Sequence, residues 1–255
     1  NNLMRKKLLM GNWKMNKTPQ EAKEFALASS EIVEFAKAHD ILVGVCPTYV
    51  CLTAVKENCN PYLIVGAQNC HFEKSGAFTG EISIDMLKAC GIDTVIIGHS
   101  ERRQYDNETN EKCNKKIVEL VHNDMVPVYC VGETLEQFEK GETKVVVEEQ
   151  LRKGLANLCS KCITKVIIAY EPVWSIGTGK NASVEIAQDV CKFIRDIVRD
   201  MYGDAADSVL VLYGGSVKPE NVKAYLGCDD VDGALVGGAS LKVESFKAMI
   251  ENLAK

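Results

Sequence analysis

Three side chains in this 255-residue sequence stand where short apolar runs stop, and together they could move a proton. Lys14 closes LLMGNWK, His99 closes DTVIIGH and Glu171 closes KVIIAYE. A carboxylate can take a proton from carbon, an imidazole can polarise a carbonyl, and an ammonium can steady developing negative charge. Two further runs end in glycine pairs, Gly214-Gly215 followed by Ser216, and Gly237-Gly238. Such turns present backbone N–H groups with no Cβ in the way and suit a phosphate, to which Ser216 adds a hydroxyl. Each feature has a plainer reading: a solvated strand-end acid, a hydrogen-bonded core histidine, a surface lysine, ordinary tight turns. Their recurrence at equivalent points of one pattern weighs against that many separate coincidences.

The stretch AYEPVWSIGTGKNASVE (169–185) offers a competing chemistry, since Gly177-Thr178-Gly179-Lys180-Asn181-Ala182 fits a dinucleotide fingerprint. That fingerprint needs its glycines directly after a strand and an acid about 20 residues on, at the end of the next strand. Here Pro172 to Ile176 intervene, and the next run ends in Tyr213-Gly214-Gly215. A P-loop fails as well, because Trp174 stands where its first glycine belongs and Asn181 where Ser or Thr belongs. What remains is a loop of about ten residues after Glu171, longer than βα loops usually are. Pro172 stiffens one end, Gly177 and Gly179 free the other, and Val173, Trp174 and Ile176 could expel water. That is the composition of a lid.

The elements that must position these residues repeat as one unit. Apolar runs at 8–14, 41–47, 63–69, 93–99, 126–132, 165–171, 209–215 and 232–238 alternate with amphipathic stretches. In 183–202, Ala187, Val190, Cys191, Ile194, Ile197, Val198 and Met201 form one apolar stripe. Thr18-Pro19-Gln20-Glu21 reads as a capping box with proline at the first helical position. No linker interrupts the series, so residues 1–255 read as a single domain. Near-continuous apolar strands alternating with helices imply a covered parallel sheet, and eight units favour a (β/α)8 barrel of α/β class. An open doubly wound sheet is the alternative. In a barrel, active sites lie at the strand C-termini, which gathers Asn12, Lys14, His99, Glu171, Ser216 and both glycine pairs at one mouth.

Composition narrows the partners. A net charge of -5 argues against a nucleic-acid surface, and no apolar run reaches the length of a membrane span. No signal peptide is evident, which points to the cytoplasm. Of eleven cysteines, Cys46, Cys90, Cys113, Cys130 and Cys191 read as small buried apolar residues. The single C-x-x-C, Cys159-Ser160-Lys161-Cys162, follows a helix and precedes a strand, the reverse of the redox order, so it reads as structural. The four histidines show no metal-ligand spacing.

Five segments, GNWKMN (11–16), GHSERR (98–103), AYEPVWSIGTGK (169–180), YGGSVKPEN (213–221) and DGALVGGASL (232–241), resemble the triosephosphate isomerase family in order and along essentially the whole chain. Departures from its common pattern are Ser175, Gln104 and Asn181. The resemblance implies interconversion of dihydroxyacetone phosphate and D-glyceraldehyde 3-phosphate through an enediolate, in glycolysis and gluconeogenesis, without metal or organic cofactor. It implies Glu171 as general base, His99 as a neutral electrophile, Lys14 as charge stabiliser, and Asn12, Gly177, Ser216, Gly237 and Gly238 in substrate binding; this enzyme is also a standard example of that carboxylate–imidazole pairing and of lid closure. Burial under the lid is expected to raise the basicity of Glu171, and free N–H groups of a turn at Ser100–Arg103 to keep His99 neutral. Glu101 reads as a structural partner of Lys14 or Arg102, with proton transfer the alternative. The overlong NCHFEKSGAFTGE (69–81) carries Phe72 and Phe78, and the resemblance implies a homodimer in which it inserts near Met15 of the other subunit. One rival, a Schiff-base aldolase, wants a lysine where the chain has Ile167, Ile168 and Ala169. The other, a barrel that binds phosphates without catalysis, leaves Glu171 and His99 unexplained.

Overall fold

The computed structural model describes residues 5–176, 178 and 180–255. Eight strands run in chain order: β1 (Lys7–Asn12), β2 (Ile41–Cys46), β3 (Ile64–Ala67), β4 (Thr94–Ile97), β5 (Val126–Val131), β6 (Ile167–Tyr170), β7 (Val211–Tyr213) and β8 (Gly233–Val236). Each pairs in parallel with the next, and β8 closes on β1 with Leu8 opposite Gly233 and Met10 opposite Leu235. The ring is closed, which removes the open-sheet alternative.

Period-two alternation explains why the strands read as continuous apolar runs. Leu8, Met10, Ile96, Val128, Cys130, Ala169, Leu212 and Leu235 point inward and fill the barrel. Their neighbours Leu9, Val95, Ile97, Tyr129, Ile168, Val211 and Val236 point outward into the layer under the helices. Both faces are buried, so neither can be polar. The strands are shorter than their apolar runs because residues at one or both ends of each run lie outside the ladder.

Local signals start the helices where expected. Thr18 accepts from Glu21 N–H while Glu21 returns to the Thr18 N–H, a capping box at the head of the helix Pro19–Ala28. The long helix Val184–Tyr202 buries Ala187, Val190, Cys191, Ile194, Ile197 and Val198 as anticipated, but it also buries Arg195. Cys90 corrects the cysteine reading: it is exposed. It caps the end of the helix Ile84–Ala89 at a surface turn through Gly91, whose φ is 75°. Cys46, Cys113, Cys130 and Cys191 are buried. No described helix is long and apolar enough to cross a membrane.

A buried carboxylate ties the β4 end of the molecule together. Glu108 accepts from Arg102 Nε at 2.8 Å and from Lys116 Nζ at 3.1 Å, and Lys116 also donates to Asn69 Oδ1 at 2.9 Å. Burial pushes the Glu108 carboxyl up, but Lys116 and Arg102 outweigh it and hold the group below its ordinary value. A folded-state pKa below the unfolded one, about 4.3, makes a contribution that is present above that pH and lost as pH falls through the folded value. The melting temperature should therefore drop between about pH 5 and pH 3, and Glu108→Gln should flatten that slope in thermal melts. An unchanged slope would remove Glu108 from the acid response.

Candidate active site

At the C-terminal ends of the strands a cavity of about 470 Å³ opens, lined by Asn12, Lys14, His99, Glu171, Ser216 and the pairs Gly214-Gly215 and Gly237-Gly238. Five strands that are far apart in sequence each contribute. Gly177 lies outside the described residues; the other residues singled out from sequence meet at this one mouth.

Lys14 sits just past β1 with φ 55°, a left-handed conformation that is uncommon outside glycine. Two side chains hold it there. The Asn12 Oδ1 accepts the Lys14 N–H at 3.0 Å, and Gln68 Nε2 donates to the Lys14 carbonyl at 2.9 Å while also reaching Cys46 O at 2.9 Å. Gln68 thus ties the turn after β1 to the end of β2. The Lys14 ammonium contacts Glu101 Oε2 at 3.1 Å, so Glu101 stands as its ion-pair partner.

His99 follows Gly98, whose φ of 75° turns the chain off β4, and caps the short helix Ser100–Tyr105. Its Nδ1 accepts the Glu101 N–H at 3.1 Å, which places the ring proton on Nε2. Nε2 lies 2.7 Å from Glu171 Oε2, and the other Glu171 oxygen accepts the Ser100 N–H at 3.3 Å. Burial lowers the imidazole pKa, but the Glu171 carboxylate raises it and the balance lies above the ordinary value. For Glu171, burial raises the pKa, yet His99, the Ser100 N–H and the Cys130 thiol together bring it below the ordinary value. The raised basicity expected from burial is therefore absent while the carboxylate rests on His99.

Glu171 is 2% exposed and its backbone is fixed. Its N–H donates to Val131 O at 2.7 Å, and the Gly214 N–H donates to Tyr170 O at 2.7 Å. Gly132 passes so close that a Cβ there would lie 1.6 Å from the Glu171 carbonyl oxygen. A side chain at position 132 would push the carboxylate off its mark.

The loop after Glu171 starts as a 3-10 turn, Val173–Ser175. Only Ile176 of its three apolar residues lines the cavity. Trp174 turns the other way, packing on Phe138 in a tilted pair with ring centroids 4.4 Å apart and donating its indole N–H to Glu133 Oε1 at 3.1 Å. Glu133, wholly buried, also accepts the Tyr170 hydroxyl at 2.6 Å. The loop's far end is tied down by Asn181, whose Nδ2 donates to Ser216 O at 2.7 Å and whose Oδ1 accepts from the Ser175 and Tyr213 hydroxyls. The Ser216 hydroxyl donates to Ser175 O at 3.1 Å. Two departures noted from sequence, Ser175 and Asn181, are thus partners in one cluster.

Sequence reading missed Glu133 and gave Gln68, a polar residue closing its strand run, no role. Both follow apolar strands, which was the available clue, but their contacts run to residues 22 to 54 positions away. Among the described residues no group of three or more His, Cys, Asp or Glu is arranged to hold a metal ion.

The fold and cavity define a (β/α)8-barrel enzyme with a carboxylate, an imidazole and an ammonium at its C-terminal mouth. Residues 7–253 match the family described as triosephosphate isomerase. Similar proteins include the triosephosphate isomerases of Clostridium botulinum (strain Langeland), 51% identical over 249 residues, covering 97% of this chain and 99% of the relative. That of Carboxydothermus hydrogenoformans is 51% identical over 251 residues, covering 97% and 99%. That of Streptococcus gordonii is 50% identical over 257 residues, covering 98% and 99%. The chain belongs to the triosephosphate isomerase family and is an isomerase.

Proposed function

We propose that this enzyme interconverts dihydroxyacetone phosphate and D-glyceraldehyde 3-phosphate by moving one proton between adjacent carbons. The observation that carries the chemistry is the meeting of Glu171, His99 and Lys14 in one cavity beside two glycine turns. The phosphate is received by the backbone N–H groups of Gly237-Gly238 and the Gly215-Ser216 turn, with Gly177 on the loop side as the family pattern suggests. Asn12 and Lys14 face the carbon chain. Glu171 takes the proton from one carbon as electrons move onto the carbonyl oxygen; His99 donates from Nε2 to that oxygen, and Lys14 offsets its charge. The proton then returns to the neighbouring carbon.

To reach carbon, the Glu171 carboxylate must leave His99. That withdraws the main influence raising the imidazole pKa. Burial, the Lys14 charge and the Glu101 N–H at Nδ1 remain and favour the neutral ring, against the Glu101 carboxylate, so the ring donates without becoming a cation first. Release from His99 also frees burial to raise the basicity of Glu171 at the moment a base is needed. A coupled assay with either triose phosphate tests the reading; no turnover with a folded protein would overturn it.

The Ser175–Asn181–Ser216 cluster fastens both ends of the loop to the turn after β7, so it belongs to the lid's setting. Asn181→Ala removes several neutral hydrogen bonds and is expected to lower kcat/KM roughly fivefold, about 1 kcal/mol. Hinge changes move kcat and KM together. A variant with altered melting but unaltered kinetics would exclude the cluster from the working cycle.

The same reading includes a homodimer, with loop 69–81 of each subunit seated by the other's Met15, acting in glycolysis and gluconeogenesis in the cytoplasm. Met15 is 93% exposed, and Phe78 on the loop is 43% exposed. Beside Met15 lies a second cavity of about 260 Å³ lined by Thr48, Tyr49, Gln68 and Lys14. There the buried Thr48 Oγ1 has no hydrogen-bond partner among the described residues, an arrangement that a neighbouring chain can complete. Met15→Asp should convert a dimer to a monomer by light scattering at micromolar concentration. A wild-type chain that is monomeric at every concentration would refute the assembly.

A further inference from the structure

We propose that Cys159 and Cys162 form a reversible disulfide that exchanges with dithiols, a surface redox site separate from the isomerase centre. The two cysteines are bonded to each other, with Cα atoms 4.9 Å apart. They lie between the helix Thr143–Gly154 and β6, with Cys159, Ser160 and Lys161 exposed and Cys162 half-buried. The other nine cysteines are free, and six of them, including Cys46, Cys113 and Cys130, are buried. Burial pushes the Cys46 and Cys113 thiols up to about 12, where they are poor nucleophiles. The bonded pair joins proximity to access.

The pair is also polarised. The Cys162 N–H donates to Cys159 Sγ at 3.0 Å, a contact that stabilises a thiolate at Cys159 and makes it the better leaving sulfur. A thiolate of an incoming dithiol attacks Cys162 Sγ. The Cys159–Cys162 bond breaks, a mixed disulfide forms on Cys162, and Cys159 departs as the thiolate under that N–H. The dithiol's second thiol then attacks its own sulfur in the mixed disulfide and releases Cys162. Two electrons pass from the dithiol to the protein, the dithiol becomes a disulfide, and its two protons end on the protein thiols. A small-molecule or protein disulfide reverses the sequence. In reducing compartments, disulfides are typically transient and redox-sensing.

The structural consequence is local. The chain before the pair is anchored where the Leu158 N–H meets the Tyr202 hydroxyl at 3.2 Å, at the end of the helix Val184–Tyr202. The chain after it enters β6, whose opposite end leads to Glu171. Opening a four-residue ring frees little chain, so reduction is expected to lower the melting temperature by about 2–6 °C. The centre at the far end of β6 should keep its kcat and KM.

The test titrates the native full-length protein with mixtures of reduced and oxidised dithiothreitol, reading alkylation by mass spectrometry, melting temperature and turnover. The expected result is one two-electron transition at Cys159 and Cys162, a reversible melting shift, and turnover constant within about twofold. The double variant Cys159→Ser/Cys162→Ser should show no shift. Among single variants, Cys162→Ser leaves Cys159, which should alkylate several-fold faster at neutral pH than Cys162 does in Cys159→Ser. The proposal is overturned if both cysteines stay alkylatable at every dithiol ratio, if the bond opens only after denaturation, or if the double variant keeps the melting shift. The reverse order of single-variant rates would overturn the assigned polarity.

Discussion

Glu171→Asp is expected to lower kcat by about a hundredfold or more while KM moves only a few-fold, because roughly 1 Å of misplacement at a reacting group has that effect. The substitution keeps the charge and withdraws the carboxylate by one methylene. The backbone cannot advance to compensate. It is held by the bonds from Glu171 N to Val131 O and from Gly214 N to Tyr170 O, and it is walled by Gly132. Nor can the shorter side chain keep both contacts, to His99 Nε2 at 2.7 Å and to the Ser100 N–H at 3.3 Å. The glycine turns proposed to receive the phosphate follow other strands, so a phosphate-bearing inhibitor should bind nearly as before. Steady-state kinetics together with inhibitor titration separates the two effects. Turnover equal to that of the parent enzyme would remove Glu171 from the chemistry.

Asp232→Ala should be the most destabilising of the changes considered, by about 3–5 kcal/mol, the effect of removing one partner from a buried ion pair. Asp232, 1% exposed, takes Arg195 Nη2 at 2.7 Å and Arg5 Nε at 2.8 Å, and it accepts the Val211 N–H at 2.9 Å. One carboxylate therefore links the beginnings of β1, β7 and β8 to the long helix. Arg195, 4% exposed, would keep Asp230 and two backbone carbonyls but lose its most buried counter-charge. For a chain of this size such a loss corresponds to roughly 10 °C in melting temperature. Because the network lies at the end of the barrel away from the cavity, kcat of the protein that remains folded should stay within a factor of two or so. A melting temperature within about 2 °C of the parent would show that the pair is a bystander.

Glu171 and Arg195 mark how far the sequence could be read. Glu171 was legible because a polar residue ending an apolar run in a repeated βα pattern has few places to go except the barrel mouth. Arg195 was not, because one charged residue on an otherwise apolar stripe looks like an intrusion until its partners, 35 and 37 positions away, are in view. Trp174 shows the same limit on a smaller scale. Its place in an apolar loop suggested a face over the substrate, and the fold instead turns it toward Glu133 and Phe138. Cys90 was misjudged because its neighbours are helical and apolar, while the surface turn that exposes it depends on Gly91.

What the sequence by itself determined is periodic: eight apolar runs, the helices between them, the capping box at Thr18, and the polar residues left at strand ends. Those follow from local physics, since strand and helix each impose a fixed spacing on the residues they bury. What only the tertiary structure decided is relational: the left-handed Lys14 held by Asn12 and Gln68, the Glu171–His99 contact, and the Asn181 cluster that fastens the loop. Each is a balance between groups distant in the chain. The charge state of Glu171 shows why such a balance is invisible in one dimension: burial alone sends its pKa up, and the imidazole 72 positions earlier brings it down.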